Sequence, residues 1–222
     1  INSPNNPTGS ILLEEDIKEI ARMAKEHDLL VLSDEVYEHF VYDGYKHYSI
    51  GALPGMKERT ITINAFSKTY AMTGWRIGYA AASEELINRI HLVHMHICTH
   101  PTVHAQKACV EALRGPQTSV EEMVKEFNRR RLFMIRRLNE IDGISCWKSR
   151  GAIYAFANIS ELGKTSWDMA VYLLKDAKIN TIYGSAFGEQ GEGYIRLSFA
   201  TSMENIKEGM NRLEKSVKKL RR

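Results

Sequence analysis

Four short segments of this 222-residue sequence carry residue types that can do chemistry together. They are Asn5-Asn6-Pro7-Thr8-Gly9, Ser33-Asp34-Glu35-Val36-Tyr37, Ser67-Lys68-Thr69 with Gly74-Trp75-Arg76, and Tyr194-Ile195-Arg196-Leu197-Ser198. Lys68 supplies an amine, which becomes nucleophilic near neutral pH when it is desolvated beside other cations, and which can also carry a proton as general acid and base. Arg76, eight residues further on, is a planar and permanently charged fork that suits a phosphate better than lysine does. Arg196 sits between Ile195 and Leu197, where a buried anionic partner is expected more than a surface one. Taken singly, each residue has an ordinary explanation. Lys68 is then a solvated loop lysine, Asp34 a turn aspartate, Tyr37 a core tyrosine, Asn6 a turn former in good turn chemistry, and the arginines halves of surface ion pairs.

Elements read from the periodicity place several of these residues together. Ile17, Ile20, Ala21 and Ala24 repeat at helical spacing, which predicts an amphipathic helix from Leu13 to His27. Leu29-Leu30-Val31-Leu32 reads as a strand buried on both faces of a parallel sheet, ending at Ser33-Asp34. Thr60-Ile61-Thr62-Ile63 is a second β-branched run, leading into a polar turn from Asn64 to Thr73, and Ile77 to Ala81 is extended again. Strands alternating with helices imply an α/β sheet, whose ligands bind beyond the carboxyl ends of the strands. Asp34 and the turn carrying Lys68 both belong at that end.

In their order and wording the four segments resemble the class I and II aminotransferases, the aspartate aminotransferase family, and the similarity runs through the whole chain. The resemblance implies a fold-type-I α/β architecture: part of the large mixed-sheet domain, then a small C-terminal α+β domain. It implies pyridoxal 5'-phosphate as cofactor, with Lys68 forming the Schiff base and moving protons, and Asp34 facing the ring nitrogen. Tyr37 and Asn6 would hydrogen-bond the ring's phenolic oxygen, Arg76 would bind the phosphate, and Arg196, with Asn6, would hold the substrate's α-carboxylate. One position departs from the pattern. Three residues before the lysine, where many members carry a phosphate-binding serine, this chain has Ala65, with Ser67 as the substitute. The implied reaction moves an amino group from an α-amino acid to a 2-oxo acid by a ping-pong cycle, in a homodimer. A lyase or synthase using the same first set of residues is the alternative, and the amino donor stays open between aspartate, alanine and aromatic acids.

Composition adds bounds rather than specificity. Hydrophobic residues at 44% and charged residues at 26% describe an ordinary globular protein. A net charge of +3 is too small to imply nucleic acid as a partner. No apolar run approaches the roughly 20 residues of a membrane span. Three scattered cysteines, Cys98, Cys109 and Cys146, form neither a disulfide framework nor a zinc site, which fits a reducing cytoplasm. The opening at Ile1 on a Pro- and Asn-rich loop leads to the expectation of a further amino-terminal part, without which the chain alone would bind cofactor poorly or be inactive.

The second half has its own organisation. A helical pattern from Glu84 to Arg114 breaks near Pro101, and Gly115-Pro116 marks the expected domain boundary, giving domains 1–115 and 116–222. Ser119 and Glu122 suggest a capping box for a long helix from Val120 to Glu140. Two strands around Ser149-Arg150-Gly151, a helix from Trp167 to Lys178, a strand from Tyr194 to Phe199 and a closing helix striped by Ile206, Met210, Leu213, Val217 and Leu220 complete the reading. His91, His94, His96, His100 and His104 are read as solvated or core histidines rather than metal ligands, because Pro101 interrupts their helix. Lys215, Lys218, Lys219, Arg221 and Arg222 are read as cations complementing a helix end rather than as a patch for an anionic surface. Met72, Trp75 and Tyr79 are expected to pack around the Lys68 loop.

Overall fold

The computed structural model describes residues 1–221. The chain divides into two compact units, Ile1–Pro4 with Ile11–Glu122, and Asn5–Ser10 with Met123 onward. The main division thus falls between Glu122 and Met123, and the loop at Asn5–Ser10 belongs with the second half.

In the first unit, helix α1 (Glu14–Glu26) opens with Glu14, Glu15 and Asp16, whose charges suit a helix amino end, and Asp16 accepts the Leu13 N–H at 2.8 Å. Its apolar stripe buries Ile17, Ala21 and Ala24 against Val31, Ile50 and Met56. Strand β1 (Val31–Asp34) runs parallel to β2 (Thr60–Ala65), and β2 pairs antiparallel with β3 (Gly78–Ala81) in a mixed sheet. β1 is not buried on both faces as its apolar run predicts. Val31 and Ser33 point inward, while Leu32 is 54% exposed. Side chains alternate along a strand, and among the described residues α1 covers only one of β1's faces. Helix α2 (Phe66–Thr69) occupies what reads in sequence as a polar turn. Helices α3 (Glu84–Cys98) and α4 (Val103–Arg114) follow, separated at Pro101. α3 buries none of its residues, whereas α4 sets Ala105 and Cys109 against Phe66, Met72 and Ile77. Met72 therefore packs as expected, but Trp75 and Tyr79 remain about half exposed.

Helix α5 (Thr118–Asn139) starts earlier than the expected capping box at Ser119. Gln117 stands at its amino end instead. Its carbonyl accepts the Val120 and Glu121 N–H groups, and its side-chain amide donates to the Ala112 and Gly115 carbonyls.

The second unit has a four-stranded antiparallel sheet ordered β4 (Ser145–Cys146), β5 (Tyr154–Asn158), β7 (Tyr194–Ser198), β6 (Ile182–Tyr183). Helix α6 (Ser166–Tyr172) is capped by the Thr165 hydroxyl and continues into a wider turn at Leu173–Ala177, on which α7 (Met203–Leu220) packs. α7 buries Ile206, Met210, Leu213 and Val217, four of the five stripe residues. The terminal cations engage acids of this same unit: Lys218 pairs with Glu214, Lys219 with Asp176, and Arg221 with Asp142. Arg222 lies outside the described residues. Among the described residues no helix is long and apolar enough to cross a membrane.

Candidate functional site

The parallel register of β1 and β2 sets the first half of the site. Asp34, the last residue of β1, lies opposite Ile63, and the Glu35 N–H donates to the Ile63 carbonyl at 2.9 Å. β2 ends two residues later at Ala65, and α2 then carries Lys68. Both candidate side chains thus leave the sheet at its carboxyl end, where strand carbonyls stop pairing and a loop can be shaped around a ligand. The Phe66 N–H donates to the Ile77 carbonyl at 3.3 Å, and the Ala71 N–H to the Lys68 carbonyl at 3.2 Å. These bonds close the loop that holds both Lys68 and Arg76.

Lys68 is half-buried, and its ammonium makes no hydrogen bond or ion pair among the described residues. One Asp34 oxygen accepts the Val36 N–H at 3.2 Å in a tight turn. Tyr37 is buried, at 3% exposure, with its ring edge-on to Phe40. Arg76 is exposed in a left-handed conformation, φ +52°, and donates to the Thr73 carbonyl at 2.8 Å. Ala65 brings no hydroxyl, and Ser67 stands half-buried beside Lys68.

Beneath Asp34 lies a network that the sequence reading did not single out. The Glu35 carboxylate is buried at 3% exposure and accepts from the Ser33 hydroxyl, the Ser49 hydroxyl and His47 Nε2, each at 2.9 Å. Burial pushes this carboxyl up, but the hydrogen bonds from His47, Ser33 and Ser49 outweigh it and hold the group below the ordinary carboxylate range. A carboxylate can only accept, so His47 Nε2 carries the proton. Asn64 donates to Glu38 nearby and accepts the Ala65 N–H at 2.8 Å. Glu35, Glu38 and His47 bring three ligand-type atoms within 4.8 Å of one another. Both Glu35 oxygens, His47 Nε2 and one Glu38 oxygen are engaged in these internal bonds, so the cluster reads as scaffolding. The signal in sequence was only the acid beside Asp34; His47 and Ser49 arrive from a loop without periodicity.

In the second unit, Asn6 and Arg196, 190 residues apart, are joined: Arg196 Nη1 donates to Asn6 Oδ1 at 2.6 Å. Arg196 lies on β7 in the middle of its sheet, with its guanidinium carbon 4.3 Å from the Tyr154 ring centre and 5.0 Å from that of Phe187. Stacking against two rings aims the fork and screens it from water. Asn6, Phe156, Phe187 and Gln190 wall a cavity of about 350 Å³ beside it. The loop holding Asn6 is itself pinned. The Gly9 carbonyl accepts both the Arg150 and Gly151 N–H groups at 2.8 Å, and the Gly9 N–H donates to the Asn5 carbonyl at 2.9 Å.

The chain belongs to the aminotransferase class I and II family, whose model matches residues 1–213. Among curated relatives it is 51% identical over 217 residues to an aspartate aminotransferase of Pyrococcus abyssi, covering 97% of this chain and 56% of that protein. It is 50% identical over 220 residues to aromatic-amino-acid aminotransferase 2 of Thermococcus litoralis, covering 98% and 56%. The solved structure of the aromatic aminotransferase from Pyrococcus horikoshii superposes with a TM-score of 0.94 at 49% identity, over 98% of this chain and 59% of that one. The chain therefore spans a little over half the length of the relatives it matches, and it shares their α/β fold across that span.

Proposed function

We propose that the protein is a pyridoxal 5'-phosphate-dependent aminotransferase that moves an amino group from an α-amino acid to a 2-oxo acid by a ping-pong mechanism. The observation that carries this is Lys68, an amine with no internal partner among the described residues, on a short helix at the sheet end where β1 delivers Asp34. Family membership supports the reaction class, since relatives are named aspartate and aromatic-amino-acid aminotransferases.

The donor set fits the cofactor. Among the described residues the Asp34 carboxylate is spent only on its own turn, Arg76 on one carbonyl, and Lys68 on nothing, which leaves a carboxylate, a guanidinium and an amine for a charged ring with a phosphate. When bound, the cofactor supplies the sink for the electrons left on the substrate's α-carbon as its proton departs. Lys68 Nζ takes that proton and returns it, a transfer that a positioned amine accelerates by roughly 10²–10⁴-fold. Asp34 holds a proton on the ring nitrogen by charge-assisted hydrogen bonding. Tyr37 and Asn6 address the ring's phenolic oxygen, Arg76 binds phosphate oxygens, and Arg196 receives the substrate's α-carboxylate. The aromatic flank of Arg196 keeps water from competing for that fork. The resemblance further implies a homodimer, and the three scattered cysteines fit a cytoplasmic protein; sedimentation of the full-length gene product and cell fractionation would read these directly.

The test is transamination by the full-length gene product with aspartate, alanine and aromatic donors. Lys68→Ala is expected to lower the rate by at least about a thousandfold, since one residue serves as both attachment point and proton carrier. Turnover must require a 2-oxo acid. Product formation without one would favour the lyase alternative, and unchanged turnover by Lys68→Ala would overturn the proposal.

A further inference from the structure

Helix α5 sends one arginine into the interior of the second unit. Arg131 has no exposed surface. Its Nε and Nη2 donate to Asn128 Oδ1, one helical turn earlier, at 3.1 and 2.8 Å, and its Nη1 donates to the Ser149 carbonyl. Burying a guanidinium is costly unless its donors are used, and a core position of this size is more cheaply filled by an apolar side chain. The carbonyl that Arg131 holds belongs to the turn Ser149-Arg150-Gly151. That turn's next two N–H groups grip the Gly9 carbonyl. Gly9 closes the Asn5–Ser10 loop through its own N–H, and Asn6 in that loop accepts from Arg196. The connection runs from Arg131 to Ser149, to Gly9, to Asn6 and to Arg196 through consecutive hydrogen bonds and the short backbone segments between them.

We infer that Arg131 is a positioning residue for the carboxylate-binding pair Asn6–Arg196: it fixes the 149–151 turn on which the Asn6 loop rests, and so sets where the Arg196 fork presents itself to substrate. The inference rests on the reading of Arg196 as the group that receives the α-carboxylate. Because Arg131 acts on binding geometry and touches no reacting atom, its loss shows in affinity more than in the chemical step.

The test uses the full-length gene product and 3-phenylpropanoate, a carboxylate without an amino group, as a calorimetric probe, beside steady-state kinetics with an amino donor. Arg131→Met should raise the probe's Kd and the donor's KM about tenfold while kcat changes less than about threefold, with Arg131→Lys recovering part of the loss. An unchanged Kd and KM in a variant that merely melts lower would overturn the inference and leave Arg131 a structural residue. If Arg131→Met does not fold, Asn128→Ala removes only the acceptor that orients the guanidinium and should produce the same affinity loss; no loss there overturns it equally. Wild-type protein that binds the probe without transaminating would sink the proposed activity while the variants still decide the role of Arg131. Wild-type protein that neither binds the probe nor turns over any of the three donors sinks both; where it turns over a donor without binding the probe, that donor's KM in the variants decides alone.

Discussion

Gly9 is a point at which the site's architecture can be stressed. Its backbone sits at φ +68°, a region in which a side chain costs about 1–2 kcal/mol. A Cβ added there would lie 2.4 Å from Ser149 Cβ and 2.8 Å from the Gly151 carbonyl oxygen, both on the turn that grips the loop. Neither neighbour is the far end of a flexible chain, so the loop and the turn must separate. The separation stretches the two 2.8 Å bonds to the Gly9 carbonyl, at about 1 kcal/mol each. Gly9→Ala is therefore expected to destabilise by about 3–4 kcal/mol. Gly163 supplies the control within the same unit: φ is +66°, but nothing lies within 4 Å of an added Cβ, so Gly163→Ala should lose only about 1–2 kcal/mol, the backbone share. Urea denaturation of both variants measures the difference. Equal losses would mean that the contact with the Ser149 turn carries no weight, and the reasoning that ties the Asn6 loop to that turn would fail with it.

The network under Asp34 makes a prediction in pH. Because the folded Glu35 carboxyl titrates below its unfolded value, its contribution is present above the ordinary carboxylate range and is lost as pH falls through the lower, folded value. Glu35→Gln should cost about 2 kcal/mol at pH 7, from charge-assisted bonds made neutral, and should flatten the acid side of the stability profile; a variant as stable as wild type at pH 7 would refute this. The cysteines separate by burial: Cys98 is exposed, Cys109 and Cys146 are buried, and burial pushes the Cys146 thiol up to about 12. A thiol reagent on the native chain at pH 7.5 should titrate Cys98 rapidly and the other two only after unfolding. Fast reaction of Cys146 in the native state would contradict its placement in β4.

How much of this was legible in the sequence depended on the range of the interaction concerned. α1 and α7 announced themselves because a single buried stripe repeats at helical spacing, and the expected bounds of α1, Leu13 to His27, lie one residue outside Glu14–Glu26 at each end. The β1 run misled because four apolar residues in a row carry no period from which one covered face can be told from two. α2 was invisible for another reason. Its four residues are too few to show a stripe, and what holds them is the long-range bond between Phe66 and Ile77. Asn6 and Arg196 were both nominated from local wording, yet nothing local could reveal that one accepts from the other across 190 residues.

Arg131 marks the same limit more severely. In sequence it is one of three consecutive arginines on a charged helix, set apart from Arg129 and Arg130 only by its phase with Met134, Ile135 and Leu138. The structure parts them: Arg129 and Arg130 pair at the surface with Glu126, whose carboxyl they hold down at about 2, while Arg131 turns inward to the Ser149 carbonyl. Surface pairs of this kind are worth little to the fold. Helical geometry accounts for the choice. Arg131, Met134, Ile135 and Leu138 recur at spacings of three and four, and all four are buried. Arg131 thus occupies a place in an apolar stripe, and a cation in that place offsets its cost only where a carbonyl waits for it. A charged residue in phase with a buried stripe is therefore the sequence mark of a fixed internal acceptor. Here that acceptor is the turn on which the Asn6 loop rests.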